Sequence, residues 1–549
     1  MAAQNKRTFL YVLLVLILVA VGFWTAKNRK PGGTGSRGSV AESGGAWTLH
    51  DMTSQDITSL DPVKIVDFNT LNILAHCYEG LVNVDETMKI VPGLAENWTI
   101  SGDGLVWAFT LKKDVIFQSL NGQQPQSLTA EDVVASLKRA ITAKESFNRW
   151  VLGDVVAVTP AAEKGAEGAP MIEALSPNVV QITLKNPFPL LNRLCMAASW
   201  VYPKDFFDAP RDTAPGPAIL GTGPYQLTEY VPSDHLVLER FAGYHGAIGE
   251  DAPDKVTIAI KQDPLASITE IKSKALDVVD LDFGNYKEAE TLAALDAYHM
   301  LSVTGNELDY LVVNTKAVPY DDLRFRRALN RAIDRQVLSK ALAPFAFPAK
   351  GYLPPLFDEG HLKEPIEYDP ASARTLLAEY RAEHPEWNAV GLGLVFDDGL
   401  LQRLTAEFVK AQLKENLNLN IDIRQVTWPE LLQGGFTGTL PFFRLWWLVA
   451  TPTPDVYFQF YMPEKIPPNG LNLSFYENPA FSKAYAQTFG RTSLIDEGSD
   501  IRDLEQMLID DAVAVPLIHR RYHFLIRDPI ELKITPLLRK CYEQARRGR

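Results

Sequence analysis

The sequence predicts an α/β protein of two or three lobes built on mixed sheets, and three observations carry that expectation. Its 549 residues exceed what one hydrophobic core sustains. From Trp47 onward, stretches of strand pattern alternate with helical periodicity, as in sheets covered by helices. No unit recurs at a 20–50-residue period, which excludes solenoids and propellers. A content of 46% hydrophobic and 22% charged residues belongs to a folded globular protein rather than a disordered one.

In chain order, residues 47–52 read as a strand and 69–78 as a helix leading into Glu79-Gly80-Leu81. The 91–117 block (VPGLAENWTISGDGLVWAFTLKKDVIF) reads as a Pro-Gly turn, a short helix ending at Trp98, a Ser-Gly-Asp-Gly turn at 101–104 and an alternating strand. In that strand Val106, Ala108 and Thr110 take one face. Trp107, Phe109 and Leu111 take the other, which is expected in the core. Thr129 is the expected N-cap of the next helix, with Asp132 in place of the capping-box Glu, and Val133, Leu137 and Ile141 follow at helical spacing. A small-residue loop at 161–169 and a proline-rich crossover at 203–217 come next. They are followed by a strand at 256–260, an amphipathic helix over 325–342, helices over 371–383 and 404–417, and a strand over 421–426.

Charge narrows the function classes. The net charge is −13, and the first 45 residues hold six basic side chains (Lys6, Arg7, Lys27, Arg29, Lys30, Arg37) against Glu42, a net +5 that leaves the body at −18. Such an acidic body argues against nucleic acid as a partner. The 8–26 segment (TFLYVLLVLILVAVGFWTA) is almost wholly apolar and follows Lys6 and Arg7. At ~1.5 Å per residue it reaches ~28 Å, about the thickness of a bilayer's hydrocarbon core. It is either a signal peptide, with Ala20-Val21-Gly22 as a poor cleavage site, or an uncleaved anchor. A membrane-tethered body on the outer side is the favoured reading, with the Gly/Ser-rich 31–45 stretch as its flexible tether. Three cysteines (Cys77, Cys195, Cys541) permit one disulfide and show no metal-ligand spacing; buried free thiols are expected.

Enzyme signatures are missing. The sequence holds no HExxH, GxSxG, P-loop or dinucleotide fingerprint. His519 and His523 stand four apart in a strand pattern, which separates them by ~13 Å and rules out a shared ion. The pairs Asp321-Asp322, Asp397-Asp398 and Asp510-Asp511 are adjacent residues whose side chains diverge. No catalytic residue, metal or cofactor is therefore expected.

A set of ordered motifs resembles the bacterial extracellular solute-binding proteins of family 5, the oligopeptide- and dipeptide-binding components of ABC importers. These motifs are Ser59-Leu60-Asp61-Pro62 with Tyr78-Glu79-Gly80-Leu81, the 91–117 block, LTAEDVVASLKR at 128–139, GTGPY at 221–225, LVLERFAGY at 236–244, residues 275–280, and YLVVNTKAVPYDDLRFRRALNRAIDR at 310–335. Asn478-Pro479-Ala480-Phe481 and Val515-Pro516-Leu517 complete the set. Ile116 and a lengthened turn at 118–124 depart from the pattern. The resemblance implies a two-lobed periplasmic-binding-protein clamshell of class II type, with mixed sheets and an extra subdomain on the first lobe. The division it implies is an anchor or signal peptide at 1–30, a linker at 31–46, lobe I at 47–78, 213–302 and 522–549, the extra subdomain at 79–212, and lobe II at 303–521.

The same resemblance points to ligand-contacting positions. Eight aromatics lie between 442 and 461: Phe442, Phe443, Trp446, Trp447, Tyr457, Phe458, Phe460 and Tyr461. Packing alone accounts for most of them, but Arg444 among them demands an anionic or carbonyl partner. A strand over 440–449 sets Phe442, Arg444 and Trp446 on one face and Phe443, Leu445 and Trp447 on the other. Peptide-binding relatives place a Trp-x-x-Asp motif here, whose carboxylate holds the peptide's amino group. This chain reads Trp447-Leu448-Val449-Ala450, so either Asp455 substitutes from a shifted turn or the ligand lacks such an ammonium. Val66, Asp67 and Phe68 match an edge that aligns an extended ligand; Asp67 is either a replacement carboxylate or a solvated loop residue. Phe147 and Trp150 match an aromatic wall. His519 and Arg521 lie where relatives present tyrosines and, with Arg444, suggest a cationic site for a ligand carboxylate or phosphate, while at least one of Arg520 and Arg521 is expected in solvent.

These readings converge on a monomeric, extracytoplasmic solute-binding protein, tethered by its N-terminal helix, which captures a peptide or peptide-like ligand and hands it to ABC permease subunits. The alternatives are an anchored extracellular α/β hydrolase and a sensing or chaperone clamshell without transport.

Overall fold

The computed structural model describes residues 47–65, 67–119, 124–146, 148–160, 168–207, 219–261, 264–282, 285–293, 297–357, 362, 364–388, 391–448, 451–490 and 498–548. The apolar 8–26 segment lies outside them, as do most of the 161–169 loop and the 203–217 crossover. Among the described residues no helix is long and apolar enough to cross a membrane.

Three principal sheets organise the chain. The first runs Thr48–Thr53, Lys255–Ile260, His235–Arg240, Tyr225–Val231, with the first pair parallel and the others antiparallel. Leu49, Tyr225, Leu238, Val256 and Ile258 fill its core. The second is antiparallel, in the order Ala95–Ile100, Val106–Leu111, Val179–Thr183, Ile172–Ser176. Its core takes Trp107, Phe109 and Leu111, the bulky face of the alternating strand, against Val133 and Leu137 of helix Ala130–Thr142. That helix starts as its sequence predicts: the Asp132 carboxylate accepts from the Thr129 amide at 2.9 Å and the Thr129 hydroxyl at 2.6 Å.

The third sheet has seven strands and links the halves of the molecule. Its order is Val278–Leu281, Ala514–Arg527, Tyr298–Val313, Phe442–Leu448, Gly393–Asp397, Asp422–Val426, with Ala346–Pro348 paired beside Ala514–Arg527. Alternation splits its residues between two cores. Leu311, Val313, Phe442 and Leu394 face helices Leu323–Ala332, Pro370–Glu383 and Leu400–Leu417. Tyr310, Val312, Phe443 and Leu445 face Asp455–Gln459, Pro479–Phe489 and Gly498–Asp510. The two long strands cross between lobes. Val303, Phe524 and Ile526 lie in the first sheet's core, whereas Leu311, Val313, Val515 and Leu517 lie in the second lobe's. Their register shifts between Thr304 and Leu308, at the crossing itself.

Two local expectations are corrected. The short helix ending at Trp98 is a strand, Ala95–Ile100, in which Trp98 pairs with Phe109. The Ser-Gly-Asp-Gly turn, with Gly104 at φ 75°, makes a hairpin, and sheet pairing overrides local helix propensity. The 325–342 helix is two helices, Leu323–Ala332 and Arg335–Ala341. Ile333 turns extended, and the Asp334 side chain caps the second helix by accepting from the Val337 amide at 3.0 Å. The break lets the buried Arg335 Nε donate to the Pro516 carbonyl at 2.6 Å.

Candidate functional site

The extra subdomain meets the second lobe along a seam made of four short pieces. From the subdomain come helices Trp150–Gly153 and Leu191–Leu194; from the second lobe come helix Asp455–Gln459 and the turn through Lys465. Pro454 precedes the helix that carries Asp455, and the Thr453 hydroxyl donates to Asp455 Oδ1 at 2.7 Å, which fixes the carboxylate's direction. Opposite it stands Arg193, whose Nη2 lies 2.8 Å from Asp455 Oδ2, both side chains at 0% exposure. Arg193 Nη2 also donates to Gln459 Oε1 at 3.2 Å, and its guanidinium lies over the rings of Phe188 (5.0 Å) and Trp150 (5.4 Å). Gln459 in turn donates to Asp154 Oδ2 at 3.0 Å, and Lys465 pairs with the same carboxylate. The chain Asp455–Arg193–Gln459–Asp154–Lys465 thus crosses the seam repeatedly.

In front of this chain lies a cavity of about 210 Å³, walled by Trp150, Phe436, Phe460 and Leu471 and edged by Arg149, Asp154 and Lys465. Concave apolar walls with a few placed charges suit a small organic ligand.

A second charged cluster sits where the long strands cross. Arg444 from Phe442–Leu448 is fully buried; it pairs with Asp309 and, at 3.1 Å, with Asp397. Arg520 reaches Glu307 at 2.7 Å and Asp309 at 3.6 Å, and the Tyr522 hydroxyl donates to Glu307. Burial pushes the Glu307 carboxyl above its usual range despite the opposing pull of Arg520. Burial works against the Arg520 charge, but Glu307, Tyr522, Asp309 and Asp397 outweigh it and raise its pKa.

The sequence-predicted site residues fall in different places. Trp150 walls the cavity, and Asp455 stands in the seam. The demand of Arg444 for an anionic partner is met inside the protein, by two carboxylates. Trp446 lies under the Arg520 guanidinium at 5.3 Å, and Trp447 packs edge-on against Phe460 at 4.9 Å, linking it to the cavity wall. Asp67 caps helix Phe68–Leu74, accepting from the Thr70 amide at 2.7 Å and from the Thr58 hydroxyl; Phe68 opens that helix, half-buried. His519 is buried with Nδ1 3.0 Å from the Glu307 carbonyl, and Arg521 is exposed over Phe347. Val66, Phe147 and Ala450 lie outside the described residues. All three cysteines are free, and burial pushes each thiol up to about 12.

Sequence reasoning missed Arg193, Asp154, Gln459 and Lys465. For Arg193 a signal existed: it is the lone charge in an apolar run from Pro187 to Pro203, the same pattern that singled out Arg444.

Comparisons with known proteins agree with this architecture. Residues 89–466 match the middle region of the bacterial extracellular solute-binding proteins, family 5. The glutathione-binding protein GsiB of Salmonella choleraesuis is 27% identical over 476 residues, covering 84% of this chain and 87% of the relative. The periplasmic oligopeptide-binding protein OppA of Escherichia coli K12 is 25% identical over 494 residues, covering 86% and 87%. Among solved structures, the periplasmic binding protein DppA of Helicobacter pylori in complex with the peptide STSA superposes with a TM-score of 0.74 at 22% identity, over 92% of this chain and 98% of that one. The Escherichia coli murein tripeptide binding protein MppA gives 0.74 at 21%, over 91% and 98%. Both share the two-lobed fold.

Proposed function

Because the chain belongs to the bacterial extracellular solute-binding proteins of family 5, we propose that it captures a short peptide or peptide-like solute at the seam between its lobes and delivers it intact to ABC permease subunits. The observation that carries this reading is the aromatic-walled cavity of about 210 Å³ bounded by residues from both sides of the seam. A ligand there is enclosed when the seam shuts and released when it opens, as a delivery protein requires. Relatives named for glutathione and oligopeptide binding support the peptide class. In this reading the protein works as a monomer on the outer face of a bacterial cytoplasmic membrane, and the 8–26 segment tethers it there. Trp150, with Phe147 beside it in sequence, supplies one cavity wall, and Trp447 supports Phe460 on the other.

Mass spectrometry of the solute released by denaturing the purified protein tests the reading. The expected result is a small peptide-like molecule that stabilises the stripped protein by ~2.7 kcal/mol at a hundredfold excess over its Kd and is recovered unchanged. Turnover of that molecule over hours would favour the hydrolase alternative instead. Loss of uptake on deleting the protein separates delivery from sensing.

A further inference from the structure

We propose that the seam cavity selects its cargo by a carboxylate, held by Arg149, and requires no ammonium group. The inference rests on the reading of this cavity as the cargo site and deepens it. Among the described residues the lining holds three charged side chains, Arg149, Asp154 and Lys465. Asp154 accepts from Lys465 and from the Gln459 amide through one oxygen, and Lys465 already balances its charge. The carboxylate behind the wall, Asp455, faces Arg193, with both fully buried. Among the described residues an entering ammonium therefore meets no carboxylate without a cationic partner of its own, and taking one from Arg193 would strand a buried guanidinium.

Arg149 differs. It stands exposed at the cavity edge, and its Nε and Nη2 donate only to the Ile141 carbonyl, at 3.3 and 3.0 Å. Among the described residues it has no carboxylate partner, and Nη1 keeps its donors. A guanidinium fork anchored by one backbone carbonyl, beside walls of Trp150, Phe436 and Phe460, fits a molecule with an aromatic or aliphatic body and one carboxylate. The fitting class is a short peptide with an apolar last residue, its amino end free or acylated alike.

Three probes and one variant test this by titration calorimetry on protein stripped of its own solute: Ala-Phe, N-acetyl-Ala-Phe and N-acetyl-Ala-Phe amide, each against wild type and Arg149→Met. Expected are Kd values for the two acids within threefold of each other, an amide at least tenfold weaker, and loss of that acid–amide gap in R149M. Acetylation that weakens binding tenfold or more would overturn the inference, as would an amide that matches the acid, or a gap that persists in R149M; the cavity reading would stand in each case. If no probe binds, or binding survives Phe460→Ala unchanged, the cavity reading itself falls, and the inference with it.

Discussion

Replacing Arg193 by Leu removes the fully buried ion pair from the set of contacts that cross the seam. Arg193 and Asp455 come from opposite sides of the seam, lie 2.8 Å apart and are both 0% exposed. Without the guanidinium, the Asp455 carboxylate remains buried with, among the described residues, only the Thr453 hydroxyl at 2.7 Å to compensate it. Breaking a buried pair by removing one partner costs about 3–5 kcal/mol. The cost falls on the closed arrangement, because on opening Asp455 returns to water. Closure, and with it affinity for the enclosed solute, should weaken by about a hundredfold to a few thousandfold, since each 1.4 kcal/mol is tenfold. The double variant Arg193→Leu/Asp455→Leu should recover most of the loss, because apolar replacement of both partners is often neutral. Calorimetric Kd values for the co-purified solute across the four proteins provide the cycle. An R193L affinity within threefold of wild type, or a double variant equal to the sum of the singles, would refute the argument.

Three further outcomes are expected. Arg444→Met should strip Asp397 of its ion-pair partner and leave Asp309 to the more distant Arg520 at 3.6 Å, and lower the Tm of ligand-free protein by about 3–4 °C in calorimetry; an unchanged ligand-free Tm with weakened binding would return Arg444 to the ligand. Burial alone would raise the Glu543 carboxyl, but Arg539 at 2.8 Å, aided by the neighbouring His76, overcomes it and holds the group down at about 2 from 4.5. A depressed carboxylate stabilises the fold above its unfolded pKa, so this contribution, about 3 kcal/mol, is present at neutral pH and is lost as pH falls through 4.5 toward 2. Glu543→Gln should therefore show a flatter acid limb in Tm against pH, and parallel curves would contradict the assignment. With thiols pushed up to about 12, native protein at pH 8 should react with a disulfide reagent at far less than one thiol per chain and at three after unfolding.

Local signals in the sequence carried much of the fold. The Trp107/Phe109/Leu111 face and the Thr129–Asp132 cap depend on neighbours a few residues away, and both formed where the pattern placed them. The strand at Trp98 did not, because its partner across the hairpin decides its state, and the break at Ile333–Asp334 answers to the distant Pro516 carbonyl. At the site the limit is sharper. A lone buried arginine announces that it needs an anion, but not whether the anion is a ligand or Asp309. That depends on the pairing of Phe442–Leu448 with Tyr298–Val313, which sets Arg444 beside it. Arg193 carried the same announcement, and its partner became visible only once the subdomain and the second lobe were set together.

The central claim is that two lobes shut around a small solute. Small-angle scattering of stripped protein, titrated with the solute recovered from it, measures that directly. The account predicts a radius of gyration that falls and levels off at one equivalent. A radius that stays constant while calorimetry records binding would contradict it.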